Sequence, residues 1–419
     1  MRETIQENVL PLNSGTRPLD RSGSDRYLLA AVICLLLFGV LMVYSSTSVV
    51  APDGKTEAAP GDTTQFLYLR KHLLSMIVGG MFMVLAFRID LMRLRAFSSL
   101  LLVLAAVMTV SVFIPGLGLT VNGARRWIRF WPSTIQPSEF AKLAMVIFLA
   151  RYLSSPGYRP DRFMDYVKPL VVMALFQGLF LLQPDFGAAI TLGLITFTML
   201  FLSGTRKRFI AYTALLLVPA IVKLIMVPYR LKRVLSFMDP WSDQQGAGYQ
   251  LVQSLIALGS GGMTGIGIGE SKQKLAFLPY INTDFIFSFL GEELGLAGVS
   301  LVLLLYGMIF YCGMRIGTRY PGTFHSCLAQ GLTYFIIYQM LINVAVVTGL
   351  APTKGLPLPF VSYGGSSLLA NMAAVGLLLS LSRGYCAVTG ECDHAEEFIK
   401  RKKARIAVYG RGVQQVRLP

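Results

Sequence analysis

Ten apolar runs are the feature of this sequence that most limits its fold. They cover residues 27–49, 67–87, 96–115, 137–153, 167–183, 187–203, 208–228, 284–313, 324–349 and 364–383. Each is long enough to cross about 30 Å of hydrocarbon as an α-helix, in which a single segment satisfies its own backbone hydrogen bonds. The 419 residues are 54% hydrophobic and only 14% charged, which excludes an ordinary soluble domain. We therefore predict an all-α polytopic membrane protein with about ten transmembrane helices.

The distribution of basic residues predicts the orientation of these spans. Lys and Arg in short loops favour the cytoplasmic side, and an even number of spans places both termini on one side. With both termini inside, 24 of the 38 basic residues lie in cytoplasmic segments. This predicts a cytoplasmic N-terminal tail (1–26), a ten-helix membrane domain (27–383) and a basic cytoplasmic C-terminal tail (384–419). The outer loops are then about 50–66, 116–136, 184–186, 229–283 and 350–363.

The other 14 basic residues lie in outer segments, against this bias, which indicates an anionic ligand on the outer face. The candidate cations are Arg125, Arg126, Lys142, Lys272, Lys274 and Lys354. The alternative is that outer cations extend to lipid headgroups, as we expect of Arg70, Lys71 and Lys223. The prolines of 350–363 hold that loop extended, so it brings Lys354 and Ser362 near the membrane surface.

Asp284 stands where the long outer segment 229–283 gives way to the eighth apolar run. An ionisable group at the edge of a span is costly and is a functional hypothesis by default. Ser288, Gly291 and Gly295 fall on the same helical face, which suits a cavity or a neighbouring helix better than lipid. The alternative is that Asp284 only caps the helix.

Other outer motifs carry further candidates. Trp127 follows the two arginines of the 116–136 loop and is either a ligand contact or a residue of the interfacial aromatic belt. Glu139 and Lys142 are three residues apart on a predicted helix and are expected to pair. Asp185 is a second outer carboxylate, for which helix capping is the default explanation.

The glycines of 259–269 match neither a dinucleotide-binding pattern nor a phosphate-binding loop. We expect them to let the backbone turn tightly or approach another surface. The preceding segment, 251–258, has the pattern of an amphipathic helix. The five cysteines include no C-x-x-C and no outer pair, so neither a disulfide framework nor a zinc site is predicted.

Five motifs, in order, resemble the bacterial SEDS family of shape, elongation, division and sporulation proteins (FtsW/RodA/SpoVE). They are Asn122–Trp127, Gln136–Glu139, Gln183–Gly187, Thr283–Ser288 with Gly291–Gly295, and Pro359–Ser366. The resemblance covers nearly the whole chain from Asp25 to Arg383. Within the family, the Pro352–Gly355 turn and the basic tail are more like the division members (FtsW) than the elongation members.

The resemblance implies a peptidoglycan glycosyltransferase that polymerises lipid II outside the cytoplasmic membrane, at the division septum. It implies that Asp284 is the essential carboxylate, and a general base is what an acceptor hydroxyl needs as it attacks the donor sugar. Arg125, Arg126, Trp127, Lys142, Lys272, Lys274, Lys354 and Ser362 are the candidate substrate-binding residues. Fixed cations or a divalent metal, Mg²⁺ or Mn²⁺, would stabilise the pyrophosphate that leaves.

The implied partners are lipid II, a class B penicillin-binding protein transpeptidase and other membrane proteins of the division machinery, with no nucleic acid. Two other functions stay open. A lipid II flippase would place charged pairs deep in several spans. A non-catalytic division scaffold would not need the outer carboxylate Asp284.

Overall fold

The computed structural model describes residues 23–47, 63–121, 123–130, 133–246, 248–273, 283–319 and 322–383. The predicted tails lie almost entirely outside these ranges, as do most of the first outer loop and Lys274. The described residues form twelve α-helices: α1 (Gly23–Thr47), α2 (Thr63–Arg88), α3 (Leu91–Ser111), α4 (Pro137–Leu153), α5 (Phe163–Leu182), α6 (Phe186–Leu202), α7 (Lys207–Ile225), α8 (Pro228–Met238), α9 (Tyr249–Gly261), α10 (Ile286–Gly317), α11 (Phe324–Val347) and α12 (Gly365–Ser382).

Each of the ten predicted spans coincides with one of these helices. The other two, α8 and α9, occupy the long outer segment between α7 and α10, and α9 confirms the amphipathic helix predicted for 251–258. Within the described ranges, α1, α2, α3, α5, α10, α11 and α12 are long and apolar enough to cross a membrane by length and composition alone. The chain is therefore a multi-pass helical membrane protein, as predicted.

Three helices at predicted spans are less clearly transmembrane by themselves. Both α4 and α6 have 17 residues, a length of about 25 Å that is near the lower limit for a span. The 19 residues of α7 include three cations, Lys207, Arg208 and Lys223. Burial inside the bundle compensates for the short length of α4, because most of its residues are shielded by other helices.

The centre of the bundle is formed by α4, α11 and α12. The most apolar stretch of α12 is 83% buried, whereas that of α2 is 17% buried. Helix α12 packs along α2, α4 packs against α3 and α11, and α10 packs against α1, α9 and α11. Helix α2 therefore lies at the lipid-facing edge, whereas α4 and α12, which begin at two of the outer motifs, lie at the centre.

A small antiparallel sheet replaces the loop that we expected at 116–136. Its strands are β1 (Gly118–Val121), β2 (Ala124–Phe130) and β3 (Ser133–Ile135), in the order β1-β2-β3. The sequence Asn122-Gly123 is typical of a two-residue hairpin connection, and Gly123 has a φ of 74°. The sheet displays the arginines of β2 above the outer ends of the helices.

Helix α10 is interrupted at Gly295, which has φ 63° and ψ −164°. The glycine-rich segment 262–267 fills the interruption by main-chain hydrogen bonding. The amides of Leu296 and Ala297 donate to the carbonyls of Gly262 and Met263, at 2.9 and 3.1 Å. This contact separates an outer part of the helix, 286–294, from an inner part, 296–317.

The same segment also binds the outer part of α10. The amides of Ile266 and Gly267 donate to the carbonyls of Glu292 and Glu293, at 3.0 and 3.1 Å. Gly265 has a φ of 81°, and a Cβ there would overlap the carbonyl of Glu293. The prediction that these glycines allow close backbone approach is confirmed.

Candidate functional site

Asp284 lies directly before α10, half-buried among the outer loops. Its backbone carbonyl accepts a hydrogen bond from Asn343 Nδ2 of α11, at 2.8 Å. The same Nδ2 atom donates to the carbonyl of Leu356 in the loop that precedes α12, at 2.7 Å. One buried amide therefore fixes the Asp284 backbone against the final outer loop.

The final outer loop packs directly against the Asp284 carboxylate. A Cβ on Gly355 would lie only 2.8 Å from Asp284 Oδ2, so a larger residue here would displace the carboxylate. Ser362 Oγ donates to the carbonyl of Thr283 at 2.5 Å and accepts from the amide of Leu358 at 2.8 Å. Ser362 therefore holds the residue before Asp284, and its hydroxyl is used in bonds within the protein.

The carboxylate of Asp284 accepts no hydrogen bond from the residues that the structure describes. Phe285, not Asp284, is at the N-cap position of α10. The capping alternative therefore has no support in the geometry of the described chain, and the carboxylate oxygens are available to a ligand.

Burial raises the pKa of the Asp284 carboxyl from 3.8 to about 7, and the positive charge of Arg126 acts in the opposite direction. Desolvation disfavours the charged form of an acid, whereas a nearby cation favours it. Arg126 is held by the turn between α5 and α6, because its guanidinium donates to the carbonyls of Gln183, at 3.3 Å, and Pro184. Arg126 is thus fixed near the carboxylate by backbone acceptors.

Arg125 and Trp127 belong to the opposite face of β2, because side chains alternate along a strand. Arg125 is exposed, and its Nε donates to Thr120 Oγ1 of β1 at 3.2 Å. Trp127 is half-buried. Of the two adjacent arginines, the structure brings Arg126 to Asp284 and directs Arg125 away from it.

Lys142 is fully buried in α4. Its Nζ lies 2.8 Å from Glu139 Oε1, so the predicted pairing is confirmed, and 5.7 Å from the centroid of the Phe335 ring. The opposite charges of this pair compensate each other inside the bundle, where an unpaired charge would be costly. The structure therefore places Lys142 below the outer surface that carries Arg126.

Asp185 is a buried N-cap residue of α6. Its Oδ1 accepts from the amide of Ala188 at 3.1 Å, and its Oδ2 accepts from Gln136 Nε2 and Ser138 Oγ, both at 3.0 Å. The default expectation of helix capping is confirmed. These bonds also join the α5–α6 turn to the start of α4.

The remaining predicted cations differ in their surroundings. Lys272 is exposed, and its amide donates to Glu292 Oε1 at 3.1 Å. Lys354 is half-buried beside Gly355, and burial lowers the pKa of its ammonium group. Lys274 lies outside the described residues. Lys354 is therefore next in the chain to the residue that contacts the Asp284 carboxylate.

Two carboxylates at the break in α10 bind the loop that precedes Asp284 in the chain. Glu293 Oε1 accepts from Ser45 Oγ of α1 at 2.6 Å and from the amide of Gly269 at 3.0 Å. Glu292 accepts from Ser271 Oγ as well as from the amide of Lys272. Both acids are buried and act as anchors for 269–272.

Sequence reasoning missed two residues of the site, Asn343 and Gly355. Asn343 stands in an otherwise apolar helix, where a buried polar side chain signals a specific hydrogen-bonding role. Gly355 belongs to the Pro352–Gly355 turn, but nothing in the sequence shows which side chain it touches. Within the described ranges no group of three or more His, Cys, Asp or Glu residues could hold a metal ion.

The chain is similar in sequence to proteins that are already known. Residues 26–385 match a family model for FtsW, RodA and SpoVE, described as "Cell cycle protein". A relative in Trichlorobacter lovleyi, "Probable peptidoglycan glycosyltransferase FtsW", is 41% identical over 88% of this chain and 95% of its own length. "Stage V sporulation protein E" of Bacillus subtilis is 39% identical over 87% of this chain and 98% of its own.

A solved structure described as "Structural coordination of polymerization and crosslinking by a peptidoglycan synthase complex" contains a chain with a similar fold. The TM-score is 0.69 at 29% identity, over 85% of this chain and 96% of that chain. The family model and the relatives cover most of the sequence, including every outer motif that surrounds Asp284. This chain therefore belongs to the FtsW/RodA/SpoVE family of cell cycle proteins.

Proposed function

We propose that this chain is a peptidoglycan glycosyltransferase that polymerises lipid II on the outer face of the cytoplasmic membrane, during septal wall synthesis. The observation that carries the proposal is the half-buried Asp284 carboxylate, which is free of hydrogen bonds from the described residues and lies near Arg126. The names of the relatives support the same reaction. Asp284 has the properties of a general base and Arg126 those of an anion-binding residue.

In the proposed reaction Asp284 accepts the proton of the acceptor sugar hydroxyl. As that proton leaves, the hydroxyl oxygen attacks C1 of the donor sugar and the bond between C1 and the pyrophosphate oxygen breaks. The electron pair of that bond leaves with the lipid pyrophosphate. A single displacement inverts C1, so an α-linked donor gives a β-linked glycan, and one carboxylate is sufficient as base.

Cations stabilise the negative charge that develops on the leaving pyrophosphate. Arg126 and Lys354 are the residues best placed for this role, since Arg126 acts on the Asp284 carboxylate and Lys354 adjoins Gly355. Arg125, Trp127 and Lys272 would contact more distant parts of a large substrate from the outer surface. Lys142 takes part only if its pair with Glu139 opens.

A divalent cation, Mg²⁺ or Mn²⁺, is compatible with this donor set when the substrate shares in binding it. Mg²⁺ is commonly held by one or two carboxylates together with substrate phosphates. Because Asp284 must stay free to accept the proton, the pyrophosphate oxygens would supply most of the ligands. When bound, the ion would neutralise charge on the leaving group.

A class B penicillin-binding protein transpeptidase is the proposed partner, together with other membrane proteins of the division machinery. The similarity to a chain of a peptidoglycan synthase complex supports this part of the proposal. The septum is the proposed location, because the turn around Lys354 resembles that of the division members.

The decisive experiment incubates the purified full chain with lipid II, alone and with a class B penicillin-binding protein, and measures glycan polymer. We expect polymer from the unmodified chain and a loss of about 10²–10⁴-fold in Asp284→Asn, the usual value of a general base. Asp284→Glu should retain little activity, because an added methylene misplaces the carboxylate.

The matched control is Asp239→Asn, which changes an exposed carboxylate at the end of α8 and should leave the rate unchanged. Full polymerisation by a folded Asp284→Asn protein would refute the assignment of the base. Movement of lipid II between leaflets without polymer would favour the flippase. Normal partner binding with neither activity would favour the scaffold.

A further inference from the structure

An apolar groove runs along the flank of the bundle between α6 and α11. It has a volume of about 420 Å³, within the usual range of ligand sites. Ile190 and Leu194 of α6 form one wall, and Leu341 and Ala345 of α11 form the other. These residues lie toward the helix ends that meet the outer loops, so the groove occupies the outer half of the bundle.

The groove is open toward the surrounding lipid. Ile190 and Leu194 are 41% and 40% exposed, and Leu341 is 48% exposed. These side chains are apolar, and in a span such exposure means contact with hydrocarbon rather than with water. A long apolar chain can therefore enter this groove sideways from the bilayer without crossing a polar surface.

Lys354, at the outer end of the groove, is the one charged residue among the described residues that line it. The next residue, Gly355, is the one whose Cβ would lie 2.8 Å from Asp284 Oδ2. Lys354, at the end of the groove, thus precedes in the chain the residue that contacts the proposed base. The lining of the groove changes along its length from apolar side chains to this one cation.

We propose that this groove binds the polyisoprenoid chain of a lipid pyrophosphate substrate, with the pyrophosphate at Lys354 and the attached sugar directed toward Asp284. This inference rests on the proposed function and adds the position and direction of the lipid chain. The apolar walls match the hydrocarbon, and Lys354 matches a strongly anionic headgroup. Along the groove the apolar side chains are followed by Lys354, as the hydrocarbon of such a lipid is followed by its pyrophosphate.

The first test is photocrosslinking in phosphatidylglycerol vesicles with radiolabelled undecaprenyl pyrophosphate as the probe. A benzophenone amino acid is placed at Ile190 or Leu341 in the groove, and at Leu304 as the control. Leu304 belongs to α10, is 70% exposed and does not line the groove. We expect labelling at the two groove positions that unlabelled undecaprenyl pyrophosphate suppresses, and at least about tenfold less at Leu304.

Equal labelling at the three positions, or labelling that excess unlabelled probe does not suppress, would overturn the inference. Such a result would mean that ordinary phospholipid chains fill the groove. Crosslinking does not require turnover, so its outcome is independent of polymerisation. Glycan synthesis without selective groove labelling would support the proposed function and contradict this inference. Selective groove labelling without glycan synthesis would support this inference and contradict the proposed function.

The second test separates the charge from the hydrocarbon by comparing undecaprenyl pyrophosphate with undecaprenol. In the unmodified chain, groove labelling should favour the pyrophosphate by about tenfold or more. Lys354→Met keeps the apolar stem and should abolish this preference, whereas Lys354→Arg should retain it. An unchanged preference in Lys354→Met would remove Lys354 from the site.

The third test fills the groove. Ala345→Phe should raise the KM for lipid II by about tenfold or more with little change in kcat, because it removes space for the lipid chain and leaves Asp284 in place. Leu304→Phe adds similar bulk outside the groove and should leave KM unchanged. An unaltered KM in folded Ala345→Phe contradicts the proposed position of the chain.

Discussion

At the scale of single residues, the pKa of Asp284 is set by two opposing effects. Burial raises it to about 7 and the charge of Arg126 lowers it. A base with a pKa close to the working pH is ionised often enough to accept a proton and basic enough to bind it. Arg126 therefore acts on the pKa of the proposed base, in addition to its proposed role in binding an anionic substrate.

The first residue-scale prediction is the pH dependence. Because the carboxyl is protonated below about pH 7 and ionised above it, polymerisation should fall as the pH drops through about 7. Folding responds in the opposite direction. Between pH 3.8 and about 7 the folded protein binds a proton that the unfolded chain has lost, so this group's contribution to stability decreases as pH rises.

These pH effects are measured by initial rates of glycan synthesis and by thermal unfolding in detergent, each across pH. Asp284→Asn should remove the contribution of this group to the unfolding profile. If the rate instead fell only near pH 4, the carboxyl group on which polymerisation depends would have an ordinary pKa, which contradicts the prediction.

A second residue-scale prediction separates the two neighbouring arginines. Arg126→Gln removes the charge that lowers the pKa of Asp284, so the acidic limb of the rate profile should shift to higher pH. Arg125→Gln removes an exposed contact with Thr120 and should leave that limb in place. Equal shifts in both variants would contradict the assignment of opposite faces of β2.

Sequence patterns identified some of these residues better than others. The spacing of Glu139 and Lys142 predicted a pair because both lie on one helix. The choice between Arg125 and Arg126 depended on a short strand that the sequence analysis treated as a loop. The contacts of Asn343 with Asp284 and Leu356 join distant parts of the chain, and no local pattern encodes them.

At the scale of elements, the apolar runs predicted the spans well, because the hydrocarbon core of a bilayer requires a minimum helix length and apolar side chains along it. The hairpin β1–β2 and the break in α10 were missed, because each depends on a partner segment. Glycines 259–269 predicted a close approach, but the surface they approach, the backbone of residues 292–297, is known only from the fold.

The element-scale prediction compares two glycines of that segment. Gly265→Ala places a Cβ against the Glu293 carbonyl at a φ of 81°, which costs about 1–3 kcal/mol for backbone strain alone. Gly259→Ala lies in α9 with nothing within 4 Å of the new Cβ and should be neutral or slightly stabilising. Thermal unfolding and polymerisation are measured for both, and equal stability would contradict the packing of 262–267 into α10.

At the scale of the whole molecule, the described helices coincide with all ten predicted spans. Which ends of these helices face the outside is predicted from the distribution of the basic residues. Engineered cysteines near Ser133, Gln245 and Thr353, in a background without the native cysteines, should react with an impermeant reagent from outside. Positions near Arg159 and Lys402 should not react until the membrane is opened. Outside labelling at Arg159 would overturn the predicted topology.

Residues 262–267 hydrogen-bond to main-chain groups of α10 on both sides of the interruption at Gly295. The outer part of this helix is buried throughout 286–293, and Asp284 stands two residues before its first residue, Ile286. The outer segment that carries α8 and α9 is thus joined to the start of α10 by backbone contacts. We therefore expect a second protein that displaced this outer segment to alter the position of the proposed base.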